Sequence, residues 1–515
     1  MDEDEDSRGL PVLYDGESTH LCTSNHSTMT SVTSTQSIES IKLQMKECLE
    51  THGSNCPSKF EVGLPTRVID VDSDTNSERL SLHIREPRER SQYAALSYCW
   101  GSPPHTFMTT TDLIRDPSQR DWSRLPSTIR DAIWVTRALG LRYLWVDSLC
   151  IIQDDESDKM KEIQLMGTIY KNARVTIAAA RSLSVYDGFL QEIHVPQICL
   201  PFIDSDGNLR KLWVHAEPPE LPDEPLEKRG WTLQESLLSP RILYYGSKDL
   251  VWKCRVEPFR SMSTHHAFYR PPIHERLPQA VFNIPSRDPI VTESIWLRIQ
   301  AAFLYRHFKL SQDRYFALTG IAHELQRISG DIYIAGMWKS TIMRQLSWKR
   351  TDNIVSCVQA QEPLSSPSWS WLALFRPLIT LSVDSGTSDE NHPILMSWSV
   401  NLADESAPLG YVLGGRLDIV ATIVNSIDAS SIDSGPGVLT LDWNVSKDDA
   451  QSLGNFIGKD FVYMYLGRKG HDRLGLLLCR LEDGSFVRWG HLIFADSVRG
   501  PWENPLAQRT ELSLV

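Results

Sequence analysis

Hydrophobic positions change their period at Tyr93. Tyr93-Ala-Ala-Leu-Ser-Tyr is a short apolar run stopped by Gly101, Pro103 and Pro104, the pattern of a buried strand. From Thr128 to Leu139 the spacing becomes helical, with Ile129, Ala132, Ile133 and Thr136 at i, i+3, i+4 and i+7. Pro126 and a Thr128-x-x-Asp131 capping box mark the start of that helix, and Gly140 follows its end. Tyr143-Leu-Trp-Val-Asp147 predicts a second strand. Asp154, Asp155, Glu156 and Asp158 then open a second helix that runs to about Lys171, with its acids at the positive end of the dipole. Val175-Thr-Ile-Ala-Ala-Ala180 predicts a third strand. Strands alternating with helices over roughly ninety residues predict a parallel α/β sheet with right-handed crossovers.

The flanks have other patterns. Residues 1–36 are acidic, then Ser/Thr-rich, and read as a disordered tail. A lead-in over 37–92 holds a short helix from Ile38 to Leu49 and two antiparallel strands, Arg67-Val-Ile-Asp-Val and Leu80-Ser-Leu-His-Ile. The α/β domain spans 93–241. Its section 181–228 is irregular, Arg229–Glu235 begins a short helix ended by Pro240, and Arg241-Ile-Leu-Tyr-Tyr is a further strand. Residues 242–394 read as a mainly helical extension. Residues 395–515 read as a β-rich subdomain, with strand-like runs at Leu417, Val438, Phe461 and Gly475.

Composition narrows the function. The chain has 515 residues, too many for one compact domain, and 41 % apolar content, enough for a substantial core. Its net charge of −13 argues against nucleic acid as the main partner. Residues 1–60 concentrate that charge, with ten acids against four bases. No apolar run is long enough to span a membrane, and MDEDED is the opposite of a secretory leader. Nine scattered cysteines suggest a reducing compartment, so a cytoplasmic location is expected. Sixteen tryptophans, more than either the tyrosines or the phenylalanines, point to aromatic cores or interfaces. No internal repeat, Walker loop or Gly-x-Gly-x-x-Gly is present.

Three blocks resemble one family. They are Tyr93-Ala-Ala-Leu-Ser-Tyr-Cys-Trp-Gly101; Leu125-Pro-Ser-Thr-Ile-Arg-Asp-Ala132 with Leu144-Trp-Val-Asp-Ser-Leu-Cys-Ile-Ile-Gln-Asp-Asp155, Met166, Tyr170 and Ala173; and Arg229-Gly-Trp-Thr-Leu-Gln-Glu-Ser-Leu-Leu-Ser-Pro-Arg241. In that order and spacing they resemble the fungal heterokaryon incompatibility (HET) domain. Gly336-Met-Trp, Pro367-Ser-Trp-Ser-Trp371 and Arg488-Trp-Gly fit the long form of such proteins. The resemblance implies a fold similar to Toll-interleukin receptor (TIR) domains and a role in fungal non-self recognition, cell death or defence. It implies protein partners or self-association. By analogy with TIR domains that cleave NAD with a glutamate, it implies NAD as a candidate substrate. A paralogue without an incompatibility role of its own stays open.

Each candidate residue has a functional and a structural reading. Asp147, at or near the carboxyl end of a parallel strand, either binds a ribose, positioning a substrate, or acts as a base, or else caps the next turn or pairs with an arginine such as Arg229. Glu235 is the candidate catalytic carboxylate, able to hold ribose hydroxyls and stabilise an oxocarbenium-like state. Thr232-x-x-Glu235 is equally a capping box. Trp100 and Trp231 either stack on a ligand ring or pack in the core. Arg229 and Arg241 either hold a phosphate or meet a carboxylate. Ser97 is a ligand-binding candidate that lacks a nucleophile elbow, and Cys150 lies in an apolar run. Cys48, His52 and Cys56 fall at i, i+4 and i+8, so a continuing helix would put them on one face, but no fourth ligand is near in sequence and no metal is expected. His265, His266 and His274 form a rival group with the same shortfall.

Overall fold

The apolar runs from Arg67 to Ser261 assemble into one eight-stranded sheet. Its strands are β1 (Arg67–Asp70), β2 (Ser81–Ile84), β3 (Tyr93–Ser97), β4 (Tyr143–Trp145), β5 (Val175–Ala178), β6 (Arg241–Tyr245), β7 (Leu250–Cys254) and β8 (Arg260–Ser261). Their spatial order is β8-β7-β6-β5-β3-β4-β1-β2. The computed structural model describes residues 12–15, 28–57, 62–71, 80–195, 197–203, 207–215, 224–257, 260–262, 282, 287–310, 312–350, 366–373, 378–380, 383, 390–425, 438–441, 460–495 and 506–515. The chain divides into two units, Met1–Asn283 and Ile284–Val515.

The middle strands β6, β5, β3 and β4 are parallel. Counted along the chain they lie in the order 2-1-3-4, as in doubly wound sheets of the flavodoxin type. The connections after β3 and after β5 leave toward opposite sides, which makes the carboxyl ends of these two strands the switch point of the sheet, the usual place for a ligand. Every residue of β3, β4 and β5 is buried, as parallel strands covered on both faces require. The crossover helices are α2 (Ser127–Ala138), between β3 and β4, and α4 (Glu156–Asn172), between β4 and β5.

The sheet corrects the expectation of a purely parallel one. On one side β1 and β2 continue it antiparallel from β4; on the other β7 and β8 continue it from β6. Leu250–Cys254 and Arg260–Ser261, inside the stretch 242–394 read from sequence as mainly helical, are therefore strands. Antiparallel additions need only short connections, so they satisfy the backbone edges of the parallel core at little entropic cost. The expected tail 1–36 also contains structure. Val12–Asp15 pairs with Leu209–His215 and Thr28–Thr30 with Ile193–Val195. Helix α1 begins at Thr35 and ends at Thr51, with Ser34 as its N-cap.

Neither helix near the expected capping boxes uses one. Pro126 precedes α2 without a side-chain cap. Thr128 and Asp131 instead hold the loop after β5: the Gly188 N–H donates to Thr128 Oγ1 at 3.1 Å, and the N–H groups of Phe189 and Leu190 donate to Asp131 Oδ2 at 2.7 and 3.2 Å. Asp155 does cap α4, accepting from Ser157 and Asp158.

In the second unit, helices Pro289–Leu304 and Asp313–Ser329 precede a sheet built from Ile394–Leu402, Val412–Asn425, Phe461–Lys469, Asp472–Arg480, Phe486–Ala495 and Val438–Leu441, with Gln508–Leu514 paired to Val412–Asn425. The tryptophan excess is explained here. Trp296, Trp338, Trp348, Trp369 and Trp371 are all fully buried. The indoles of Trp296 and Trp371 both donate to the Gly336 carbonyl, at 2.8 and 2.7 Å, and Trp348 donates to the Trp369 carbonyl at 3.0 Å. Arg488 lies over the Trp348 ring and donates to the Leu346 and Trp348 carbonyls. The three flanking motifs singled out in the sequence thus form one structural knot. Among the described residues no helix is long and apolar enough to cross a membrane.

Candidate functional site

Sequence-distant candidates converge at the carboxyl ends of β3 and β4. Ser97 is the last residue of β3 and Trp100 follows it. Asp147 opens α3 (Asp147–Cys150), two residues past the end of β4. Arg229 and Trp231 lead into α5 (Thr232–Leu238), which carries Glu235. Glu235 is only 4 % exposed, Ser97 equally so, while Trp100, Trp231, Asp147 and Arg229 are half-buried.

Asp147 is held from three sides. The Trp100 Nε1–H donates to its Oδ2 at 2.8 Å, the Ser148 N–H to its Oδ1 at 2.6 Å, and the Arg229 charge acts on it. Burial still raises its pKa above the usual carboxylate value, against those three. Arg229 also donates to the Tyr98 carbonyl. Burial opposes the Arg229 charge, but Glu235 and Asp147 outweigh it and raise its pKa. Asp147 thus stands just past the end of β4 with the Arg229 charge acting on it.

Glu235 differs. Burial pushes its carboxyl up to about 7, although Arg229 and a hydrogen bond from Ser97 favour the charged form; the Asp147 charge adds to the rise. Its Oε2 is buried with no hydrogen-bond partner among the described residues. The expected capping box does not form. The Thr232 hydroxyl donates backwards to the Leu226 and Arg229 carbonyls at 2.7 and 2.8 Å, and the Glu235 N–H donates to the Trp231 carbonyl at 3.3 Å. The Glu235 side chain turns toward Ser97, Tyr170 and Arg229 rather than back to its own helix start.

Residues not singled out as site candidates complete the cluster. Tyr170, fully buried, donates to the Leu96 carbonyl at 3.0 Å and reaches the Glu235 carboxyl. Tyr98 donates to Ser148 Oγ at 2.8 Å. Burial drives both phenols well above their ordinary pKa, so they act as neutral donors. Both already lay in the three blocks that resemble the HET domain, and that was the available signal.

Other candidates fall elsewhere. Cys150 is buried and its thiol is pushed up to about 12, an inert packing residue. Arg241 meets no carboxylate among the described residues; it donates to the carbonyls of Arg174, Cys56 and Pro57. His265, His266 and His274 lie outside the described residues.

The family model for heterokaryon incompatibility protein (HET) matches residues 93–235, from the first residue of β3 to the buried glutamate. These residues are a HET domain. A curated relative, heterokaryon incompatibility protein 6, OR allele, of Neurospora crassa, is 32 % identical over 92 residues, which cover 16 % of this chain and 14 % of that protein. No solved structure matches the chain. The HET domain thus contains both candidate carboxylates, while β1, β2 and β6–β8 extend its sheet beyond the matched residues.

Proposed function

We propose that this chain is an effector of fungal non-self recognition whose HET domain drives cell death, and that Glu235 is its working carboxylate. The observation that carries the reading is the Glu235 carboxyl: buried near the carboxyl ends of β3 and β4, with an oxygen that has no hydrogen-bond partner among the described residues and a pKa near neutrality. A carboxyl poised between its two forms at cellular pH suits proton transfer or stabilisation of a developing cation. In the NAD-cleaving version, the bond between nicotinamide and ribose breaks, nicotinamide leaves, and water adds to the ribosyl carbon. Glu235 stabilises the oxocarbenium-like state and takes the proton from water. Asp147 positions the substrate through its fixed side chain, and Trp100 and Trp231, half-exposed, form the walls. A TIR-like topology is consistent with the 2-1-3-4 strand order.

The deep burial of Glu235 favours a second reading, in which the same network only holds a surface that self-associates or binds a protein partner. One experiment separates them. Wild type and Glu235→Gln are expressed inducibly in a fungal cell, with NAD and viability followed together. NAD falling before death in wild type, and neither occurring with folded Glu235→Gln, supports catalysis. Death with unchanged NAD supports assembly. Survival of cells expressing folded wild type overturns the effector role.

A further inference from the structure

Outside the HET-domain site lies a second cluster of chemistry. Cys48, His52, Cys56 and Cys254 each place one ligand atom within 4.8 Å of every other. The Cys254 sulfur lies 3.4 Å from His52 Nδ1. A tetrahedral zinc site with ordinary bond lengths has sulfur–nitrogen edges of about 3.5 Å and sulfur–sulfur edges of about 3.8 Å. We propose that these four residues bind one structural Zn²⁺ through three thiolates and one imidazole.

The helix break makes the site. A helix continuing from Cys48 would carry Cys56 about 12 Å along the axis, out of reach of a shared ion. Instead α1 ends at Thr51, and Gly53, with φ +53° in the left-handed region, turns the chain through a short 3₁₀ segment that returns Cys56 to Cys48. The fourth ligand lies 202 residues beyond His52, at the end of β7.

Charge supports an anionic site. Three thiols lose their protons to solvent on binding, so three thiolates, a neutral imidazole and Zn²⁺ carry a net charge of about −1. Arg241 stands opposite Cys254 in the β6–β7 ladder and donates to the Cys56 and Pro57 carbonyls at 3.0 and 2.8 Å. It makes no ion pair with a carboxylate among the described residues, and its Nε is buried without a hydrogen-bond partner. A buried cation with no acidic partner complements a metal–thiolate anion. Cys48, Cys56 and Cys254 are all free thiols, and Cys48 and Cys56 are fully buried, which keeps the ligands from competing reactions. Zinc is preferred over calcium or magnesium by the soft sulfur donors, and a complete four-ligand set marks a structural ion. The ion would fasten α1 to the sheet edge, beside the Gln44–Glu257 hydrogen bond and the Glu47–Arg260 ion pair.

The test uses the full chain, purified without chelator from zinc-supplemented cells. Elemental analysis should find about one zinc per chain, and exchange with Co²⁺ should give the intense visible bands of a tetrahedral thiolate site. Cys254→Ser should lose the metal. His52→Asn, at a half-exposed position, should weaken retention while leaving the fold intact. A zinc-free chain that takes up no Co²⁺ overturns the proposal. So does an intact mass lower by one pair of hydrogens, showing that two of the thiols form a disulfide. The wild-type measurements decide the matter even where Cys254→Ser does not fold.

Discussion

At the residue scale, Glu235 shows how burial alone creates a chemical group. Its carboxyl has ordinary neighbours for ionisation, an arginine and a serine, yet desolvation lifts it from 4.5 to about 7. The sign of the resulting pH dependence is fixed. Between those values the folded chain binds the proton that the unfolded chain has released, so the contribution of Glu235 is complete below pH 4.5 and is lost as pH rises to about 7. The loss is on the order of 3 kcal/mol. Glu235→Gln should remove that slope, so the difference in melting temperature between wild type and variant should shift in favour of the variant from pH 5 to pH 8. Equal slopes in thermal melts would contradict the assignment. Trp100→Phe removes the donor to Asp147 and leaves a buried carboxylate short of a partner. It should cost about 2 kcal/mol in urea unfolding and raise the pKa of Asp147 further.

At the element scale, the loop after β5 is held by α2 and by the turn after β3. Gly101 has φ +81°, and a Cβ there would meet the Ser184 side chain at 2.7 Å. Gly101→Ala should therefore destabilise by more than about 1 kcal/mol, read from the shift in urea midpoint. Asp131→Ala removes the acceptor of the Phe189 and Leu190 N–H groups, and those two amides should exchange with deuterium faster while the α2 amides stay protected. The Asp131 result matters because its spacing from Thr128 reads as a helix cap. Identical residue types serve a local cap or a distant loop. The choice depends on whether the loop delivers free N–H groups to the helix start, which spacing does not encode.

At the scale of the whole molecule, the two units carry separate cores. Arg488→Met orphans the Leu346 and Trp348 carbonyls and removes the cation from the Trp348 face. It should cost the second unit about 2–4 kcal/mol. Hydrogen exchange should then quicken in the strands between Ile394 and Leu514, whereas Gly101→Ala should quicken it in β3–β5. Exchange that rises equally in both units for either variant would contradict the division.

Local pattern determined most elements near the candidate site. The apolar run at Tyr93, the helical spacing from Ile129 to Thr136 and the acids at Asp155 each specify an element by interactions within a few residues, and Ser97, Asp147 and Glu235 were legible because they sit in or beside such elements. Tertiary structure decided what no short window holds. It set the antiparallel edges added by β1, β2, β7 and β8, and the conversion of two apparent capping boxes into a loop anchor and a buried carboxyl. It also brought Cys254 to Cys48, His52 and Cys56. Side-chain burial, and with it the Glu235 pKa, depends on which distant segments exclude water, and that is settled only when the sheet closes over them.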